Sequence, residues 1–167
     1  MAATEPARGG KPNATPATGP TTELVEAAYQ ALATGDRDEI EKYWAEDMRW
    51  LVPGNHQLAG WWEGLDGFFS FMEQVGKLSG GSFVMTRSAI LLADGWSADI
   101  SYNVGTRASA QDGSTSPYDR LEIDVVHVLR WRDGRVVEGR GAIFADGTTL
   151  FNQFWSQLAT DAARVGA

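Results

Sequence analysis

A chain of 167 residues, 43% hydrophobic and 22% charged, has the composition of one globular domain with a real core rather than of a disordered polymer. Its formal net charge of -8 lacks the basic footprint that nucleic acid or an anionic membrane surface requires, and the absence of cysteine excludes disulfides, thiolate metal sites and a cysteine nucleophile. No apolar run reaches the roughly 20 residues that cross a bilayer, and the N-terminus lacks the apolar core of a secretory signal, so the expectation is a soluble, cytoplasmic protein.

Residues 1–20 are Ala, Pro, Gly and Thr with almost no large apolar side chain, and they read as a disordered tail. A first helix is expected over 22–34, capped by Thr21 or Thr22, with Leu24, Val25, Ala28, Tyr29 and Leu32 at helical spacing and Gly35 as its stop. Asp36 and Glu39 form a capping-box pattern for a second helix, with Ile40, Tyr43 and Trp44 as its inner stripe. A short strand over 48–52 ends at Pro53-Gly54. Residues 55–64 read as a loop holding His56 and the pair Trp61-Trp62. A third helix over 65–76 buries Leu65, Phe68, Met72 and Val75.

After Gly80-Gly81, strands over 82–92 and 96–107 meet at Asp94-Gly95, and Trp96, Ala98, Ile100, Tyr102 and Val104 share the apolar face of the second. A polar loop over 108–117 leads to a long hairpin over 118–144 that turns at Asp133-Gly134. A last helix over 149–159 buries Phe151, Phe154, Trp155 and Leu158. The order α-α-β-α-β-β-β-β-α is an α+β layout, with an antiparallel meander curved over the helices into a cone that encloses a cavity.

Alternation splits the first arm of the long hairpin into two faces. Leu121, Ile123, Val125, His127, Leu129 and Trp131 form one, and Glu122, Asp124, Val126, Val128 and Arg130 the other. His127 is the single polar residue of an otherwise apolar face. It reads either as an acid or base in a pocket or as a core histidine bonded to a helix tyrosine, and desolvation there favours the neutral ring. Trp50, Trp96, Tyr102, Val125 and Leu129 are expected to line the cavity with it. The parity that turns Trp96 and Tyr102 inward puts Asp99 on the outer face, and Asp124 faces outward on the hairpin arm.

Three segments carry a family likeness: V-E-A-A-Y-Q-A-L-A-T-G-D over 25–36, W-L-V-P-G-N-H-Q-L-A-G-W-W-E-G over 50–64, and V-V-H-V-L-R-W-R-D-G-R-V-V-E over 125–138. They resemble the SnoaL-like group of the nuclear transport factor 2-like superfamily, which includes ketosteroid isomerase and polyketide cyclases. The resemblance covers 21–160 and leaves 161–167 as a C-terminal tail. It implies a cone-shaped, curved antiparallel sheet wrapped around N-terminal helices, and a homodimer through the outer sheet face, where Val126 and Val128 stand. It also carries the isomerase site onto this chain. The acid that donates to the substrate oxyanion falls at His127, the general-base carboxylate at Val52, and the carbonyl-polarising tyrosine at Tyr29. The isomerase triad is therefore not intact. Nor is the Arg-Asp-Asp set of limonene epoxide hydrolase, since Gly141 stands where its last aspartate is expected.

Two functions follow as expectations. One is a cofactor-independent isomerase, cyclase or dehydratase for a small hydrophobic metabolite, with His127 as acid or base, Tyr29 as oxyanion donor and His56 as a second base or substrate contact. Trp50, Val52, Trp62, Phe68, Trp96, Tyr102, Val125, Leu129 and Ile143 would line its substrate pocket. The other is a non-catalytic homodimer that binds or sequesters a hydrophobic ligand, which the loss of the carboxylate at Val52 favours. Neither calls for a metal, a cofactor, nucleic acid or a membrane.

Overall fold

The computed structural model describes residues 19–110 and 114–156. Most of the expected N-terminal tail, the whole C-terminal tail, and Leu158 lie outside the described residues.

Helix α1, Thr22–Thr34, starts where Thr21 Oγ1 accepts from the Leu24 N–H at 3.2 Å, and it ends where Gly35 takes the left-handed backbone. Its buried stripe is Val25, Ala28 and Ala31. Helix α2 is one turn, Arg37–Ile40, capped by Asp36 through the N–H of Asp38. Trp44 does not continue this helix, as the sequence pattern had it. It opens strand β1, Trp44–Val52, because its indole Nε1 donates to the Ala28 carbonyl at 2.9 Å and its ring stacks on Phe68 at 5.2 Å. That aromatic anchor fixes the chain against α1 before a second helical turn can form.

Residues expected to be loop include strand β2, Gly60–Glu63, which pairs antiparallel with β1 so that Trp62 lies opposite Trp50. Four residues are too few to show an alternation. Helix α3, Gly64–Leu78, crosses the sheet and buries Leu65 and Phe68. Strands β3, Val84–Ala93, and β4, Trp96–Thr106, form a hairpin. Strands β5, Arg120–Arg132, and β6, Arg135–Ile143, form the long one, closed by Asp133 and Gly134 at φ 51° and 75°. Two successive positive φ values are what a two-residue type I′ turn needs, and Asp-Gly supplies them. Helix α4, Thr148–Trp155, closes the described domain.

The layout is α+β: helices against one six-stranded sheet in the order β2-β1-β6-β5-β4-β3, curved and left unclosed, with β2 and β3 as its edges. One junction departs from the expected antiparallel meander. Strand β1 runs parallel to β6, with Trp50 beside Gly139. A Cβ on Gly139 would lie 2.2 Å from the Trp50 ring, so glycine is what lets that indole lie across the strand.

Strand β5 alternates as its sequence reads, with Leu121, Ile123, Val125, His127, Leu129 and Trp131 all buried. Strand β4 is inverted. Its buried residues are Ser97, Asp99, Ser101 and Asn103, while Trp96 and Tyr102 stand 38% and 43% exposed on the other face. The cause is register. In an antiparallel pair, directly opposed residues share a face. Asp99 is opposite His127, Ser97 opposite Leu129, and Asn103 opposite Ile123. Once His127 points inward, Asp99 must as well. The buried hydroxyl of Ser97 accepts from the Trp131 indole at 2.9 Å, which compensates part of its desolvation.

Candidate active site

A cavity of about 740 Å³ lies between the sheet and helices α1, α3 and α4. That is within the ordinary range for a small-molecule site. Tyr29, Trp50, Val52, Phe68, Val125, His127 and Ile143 border it, so seven of the positions nominated from sequence meet in one place. Helix α1 delivers Tyr29, β1 delivers Trp50 and Val52, α3 delivers Phe68, and the long hairpin delivers the rest.

Five nominated positions lie elsewhere. Trp96 and Tyr102 are on the outer face, because β4 is inverted. Leu129 is fully buried core and does not border the cavity. Trp62 packs its ring on Phe71 and donates its indole N–H to the Leu58 carbonyl at 3.0 Å. His56 braces its own loop and is not among the residues that border the cavity. Its Nε2 meets the Pro53 carbonyl at 3.0 Å, its Nδ1 accepts from the Leu58 N–H at 3.2 Å, and its ring stands edge-on to Phe151. Burial lowers its pKa from 6.5 to about 4, outweighing the bond to Pro53 that works the other way. Both nitrogens are spent on backbone.

The chemistry of the cavity centres on a residue that alternation placed outside. Asp99 is buried and carries three hydrogen bonds. Its Oδ1 accepts from the Tyr29 hydroxyl at 2.6 Å, and its Oδ2 accepts from Ser101 Oγ at 2.8 Å and pairs with His127 Nδ1 at 3.1 Å. Burial pushes the carboxyl up. The bond and charge of His127, with the bonds from Tyr29 and Ser101, outweigh it and hold the group below the usual Asp range. Asp99 is therefore ionised near neutrality. An ionised carboxylate only accepts, so Nδ1, which faces it, carries a proton. Among the described residues Nε2 has no hydrogen-bond partner. The expectation of a histidine on a face without a carboxylate does not survive this pairing.

Tyr29 changes role for the same reason. Desolvation, with the Asp99 charge and hydrogen bond, pushes its pKa well above 10, against a smaller opposing effect of Arg87. It stays protonated and spends its proton on Asp99, so it orients the carboxylate instead of donating to a ligand oxygen. The ring still forms cavity wall and carries the Arg87 guanidinium 4.0 Å from its centroid.

A SnoaL-like domain model matches residues 25–139 of this chain. The chain belongs to the SnoaL-like domain family. An uncharacterized protein of Mycobacterium tuberculosis is 30% identical over 69 residues, covering 41% of this SnoaL-like chain and 53% of that protein. The chain thus spans about half the length of the curated relatives it matches. Among solved structures, Bal32a from a soil-derived mobile gene cassette is similar at 25% identity and TM-score 0.67, covering 80% of this chain and 94% of Bal32a. IdmH, a candidate polyketide cyclase of Streptomyces antibioticus, is similar at 18% identity and TM-score 0.57, covering 77% and 94%. Proteins described as NTF2-like and as cystatin-like also share the fold of this SnoaL-like domain.

Sequence reasoning missed Asp99, Ser101, Arg87 and Asn103. A signal for Asp99 was present: a histidine alone on a buried apolar face needs a polar partner. Finding it required the β4–β5 register, which is set across the polar loop and cannot be counted from a tight turn.

Proposed function

We propose that this SnoaL-like domain is a cofactor-independent acid–base enzyme of the isomerase, cyclase or lyase class, acting on a small hydrophobic molecule with His127 as its base. One observation carries the reading: His127 borders an apolar cavity while its Nδ1 is held by a buried carboxylate. In that arrangement Nε2 takes a proton from a carbon or oxygen acid of the ligand, and Asp99 stabilises the imidazolium that forms. The electron pair left on a carbon acid moves to the adjacent carbonyl oxygen as an enolate, close to the Arg87 cation. The imidazolium then returns its proton to another carbon, or to a departing hydroxyl as water. Alternatively the enolate carbon attacks a second carbonyl and closes a ring, whose new alkoxide takes the proton. Isomerisation, dehydration and cyclisation share the first step, and the dyad serves all three. The likeness to a candidate polyketide cyclase supports this class without selecting among its members.

The domain works as a homodimer in this reading. Leu91, Trp96 and Tyr102 stand exposed on the outer sheet face, continuous with Val126 and Val128, and a second copy of that face would cover them.

A carbon acid independent of the natural substrate tests the base. Removal of the C3 proton of 5-nitrobenzisoxazole opens its N–O bond to a coloured phenolate. Catalysis by the wild type should fall by about 10²- to 10⁴-fold in His127→Gln, and substantially in Asp99→Asn. A rate unchanged in both variants, with the fold intact, refutes the base. The surviving reading would then be a pocket that binds without reacting, which Val52 favours: it borders the cavity where the resemblance to the isomerase calls for a carboxylate.

A further inference from the structure

Two polar groups border the cavity with their hydrogen bonds unmade. Asn103 is 3% exposed, and its Oδ1 is buried without a hydrogen-bond partner among the described residues. Arg87 is mostly buried, with its side chain 20% exposed, and its Nε is likewise buried and unpaired by any hydrogen bond. The nearest carboxylate to that Nε, Asp99 Oδ2, is 3.9 Å away and already holds Ser101 and His127. A buried amide oxygen or guanidinium N–H without a hydrogen bond leaves its loss of hydration uncompensated. Such groups are expected where a ligand completes them.

Their placement defines what would fit. The Arg87 guanidinium sits over the Tyr29 ring, its Cζ 4.0 Å from the centroid, and a guanidinium engaged through its face keeps its in-plane N–H donors for hydrogen bonds. Arg87 on β3 is opposite Ser101 on β4, two residues from Asn103. Strand geometry then puts their Cα atoms roughly 8 Å apart on one face of the sheet. The apolar wall between them and α3 includes Trp50, Phe68 and Val125. Asp99 lies behind the cavity wall, and the acidic residue that borders the cavity among the described residues, Glu26 on α1, is exposed. Among the described residues, the other titratable groups that border it besides Arg87 are Tyr29, which stays protonated, and His127.

We propose that the cavity is built for a flat hydrophobic acid of about two fused rings: a carboxylate, or an equally acidic enol, on Arg87, and a hydroxyl at the far end that donates to Asn103 Oδ1. This rests on the reading of the cavity as the ligand site and narrows its substrate class. An uncharged hydrocarbon-like ligand would leave Arg87 Nε and Asn103 Oδ1 without a hydrogen bond. The acidic oxygen placed on Arg87 lies near His127, so charge pushed onto it by proton removal meets a cation already in position.

The test is calorimetric titration of the full chain with 6-hydroxy-2-naphthoate, its methyl ester, and 2-naphthoate. In the wild type the hydroxy acid should bind at least tenfold more tightly than the ester, and several-fold more tightly than 2-naphthoate. Neither comparison needs a variant. Arg87→Met should bring acid and ester to equal affinity by weakening the acid alone. Asn103→Leu should remove the advantage of the hydroxyl. An ester that binds the wild type as well as the acid, an acid preference that survives Arg87→Met, or no binding by any of the three at millimolar concentration overturns the proposal. The wild-type acid-to-ester ratio, read beside 5-nitrobenzisoxazole turnover in His127→Gln, separates this from the catalytic reading. If that ratio holds while 5-nitrobenzisoxazole turnover proves independent of His127, the base falls and the binding class stands. If turnover depends on His127 and the ratio is one, only the binding class falls.

Discussion

Protonation of His56 gives a pH dependence of stability whose sign and size follow from the structure. The folded domain lowers the pKa of this ring from 6.5 to about 4, chiefly by desolvation. The fold therefore prefers the neutral imidazole. Its contribution is complete above pH 6.5, declines as pH falls from 6.5 towards 4, and is lost below that. At 1.36 kcal/mol per pH unit the full difference is about 3 kcal/mol. The ring is only partly buried, so solvent screening brings the expected loss to about 1.5 kcal/mol. Urea unfolding at pH 7.5, 6.5, 5.5 and 4.5 measures it, comparing the wild type with His56→Gln. The other histidine is present in both proteins, and the buried carboxylates with lowered pKa, Asp99 and Glu138, lose stability only below about 3.8 and 4.5 respectively. The difference between the two curves thus isolates His56. The wild type should lose about 1 kcal/mol more than the variant between pH 6.5 and 4.5. Parallel curves would refute the brace described for the loop after β1.

Asp99→Ala leaves the donors of Tyr29, Ser101 and His127 buried without their acceptor and should destabilise the domain by about 3–5 kcal/mol, while Tyr29→Phe, which removes one donor, should cost about 1–2 kcal/mol; denaturant midpoints check both. Gly139→Ala forces a methyl into the Trp50 ring and should cost about 1–3 kcal/mol with a change in tryptophan fluorescence. Sedimentation at micromolar concentration should give a dimer that Val128→Glu splits into monomers, and a wild-type monomer would sink the interface.

What the sequence disclosed depended on how local its determinants were. The Asp-Gly turn at 133–134 fixed the long hairpin within one or two residues, and the alternation of β5 put His127 inside. Helix α1 was legible from a cap, a stripe and a glycine stop. Strand β2 was too short to announce itself, and Trp44 was claimed for a helix because its determinant, the Ala28 carbonyl, lies sixteen residues away. Strand β4 misled most. Both of its faces are covered or coverable, so its apolar side is no guide to the interior. Ser97, Asp99, Ser101 and Asn103 are inside because of a pairing register, and that register is a property of two strands together.

The parallel seam between β1 and β6 has a consequence for the order of folding. Trp50 and Gly139 are neighbours there although about ninety residues separate them along the chain. The β3–β4 and β5–β6 hairpins can form around tight turns, whereas the seam must first close that long loop at a large entropic cost. Strands β3 to β6 therefore assemble early, with Asp99 already opposite His127, and β1 docks late, bringing Trp50 onto the His127 ring. In a stopped-flow refolding experiment, Trp50 burial should follow formation of the β4–β5 pairing. In unfolding, the seam should part first, exposing the cavity face while the remaining four-stranded sheet is still intact.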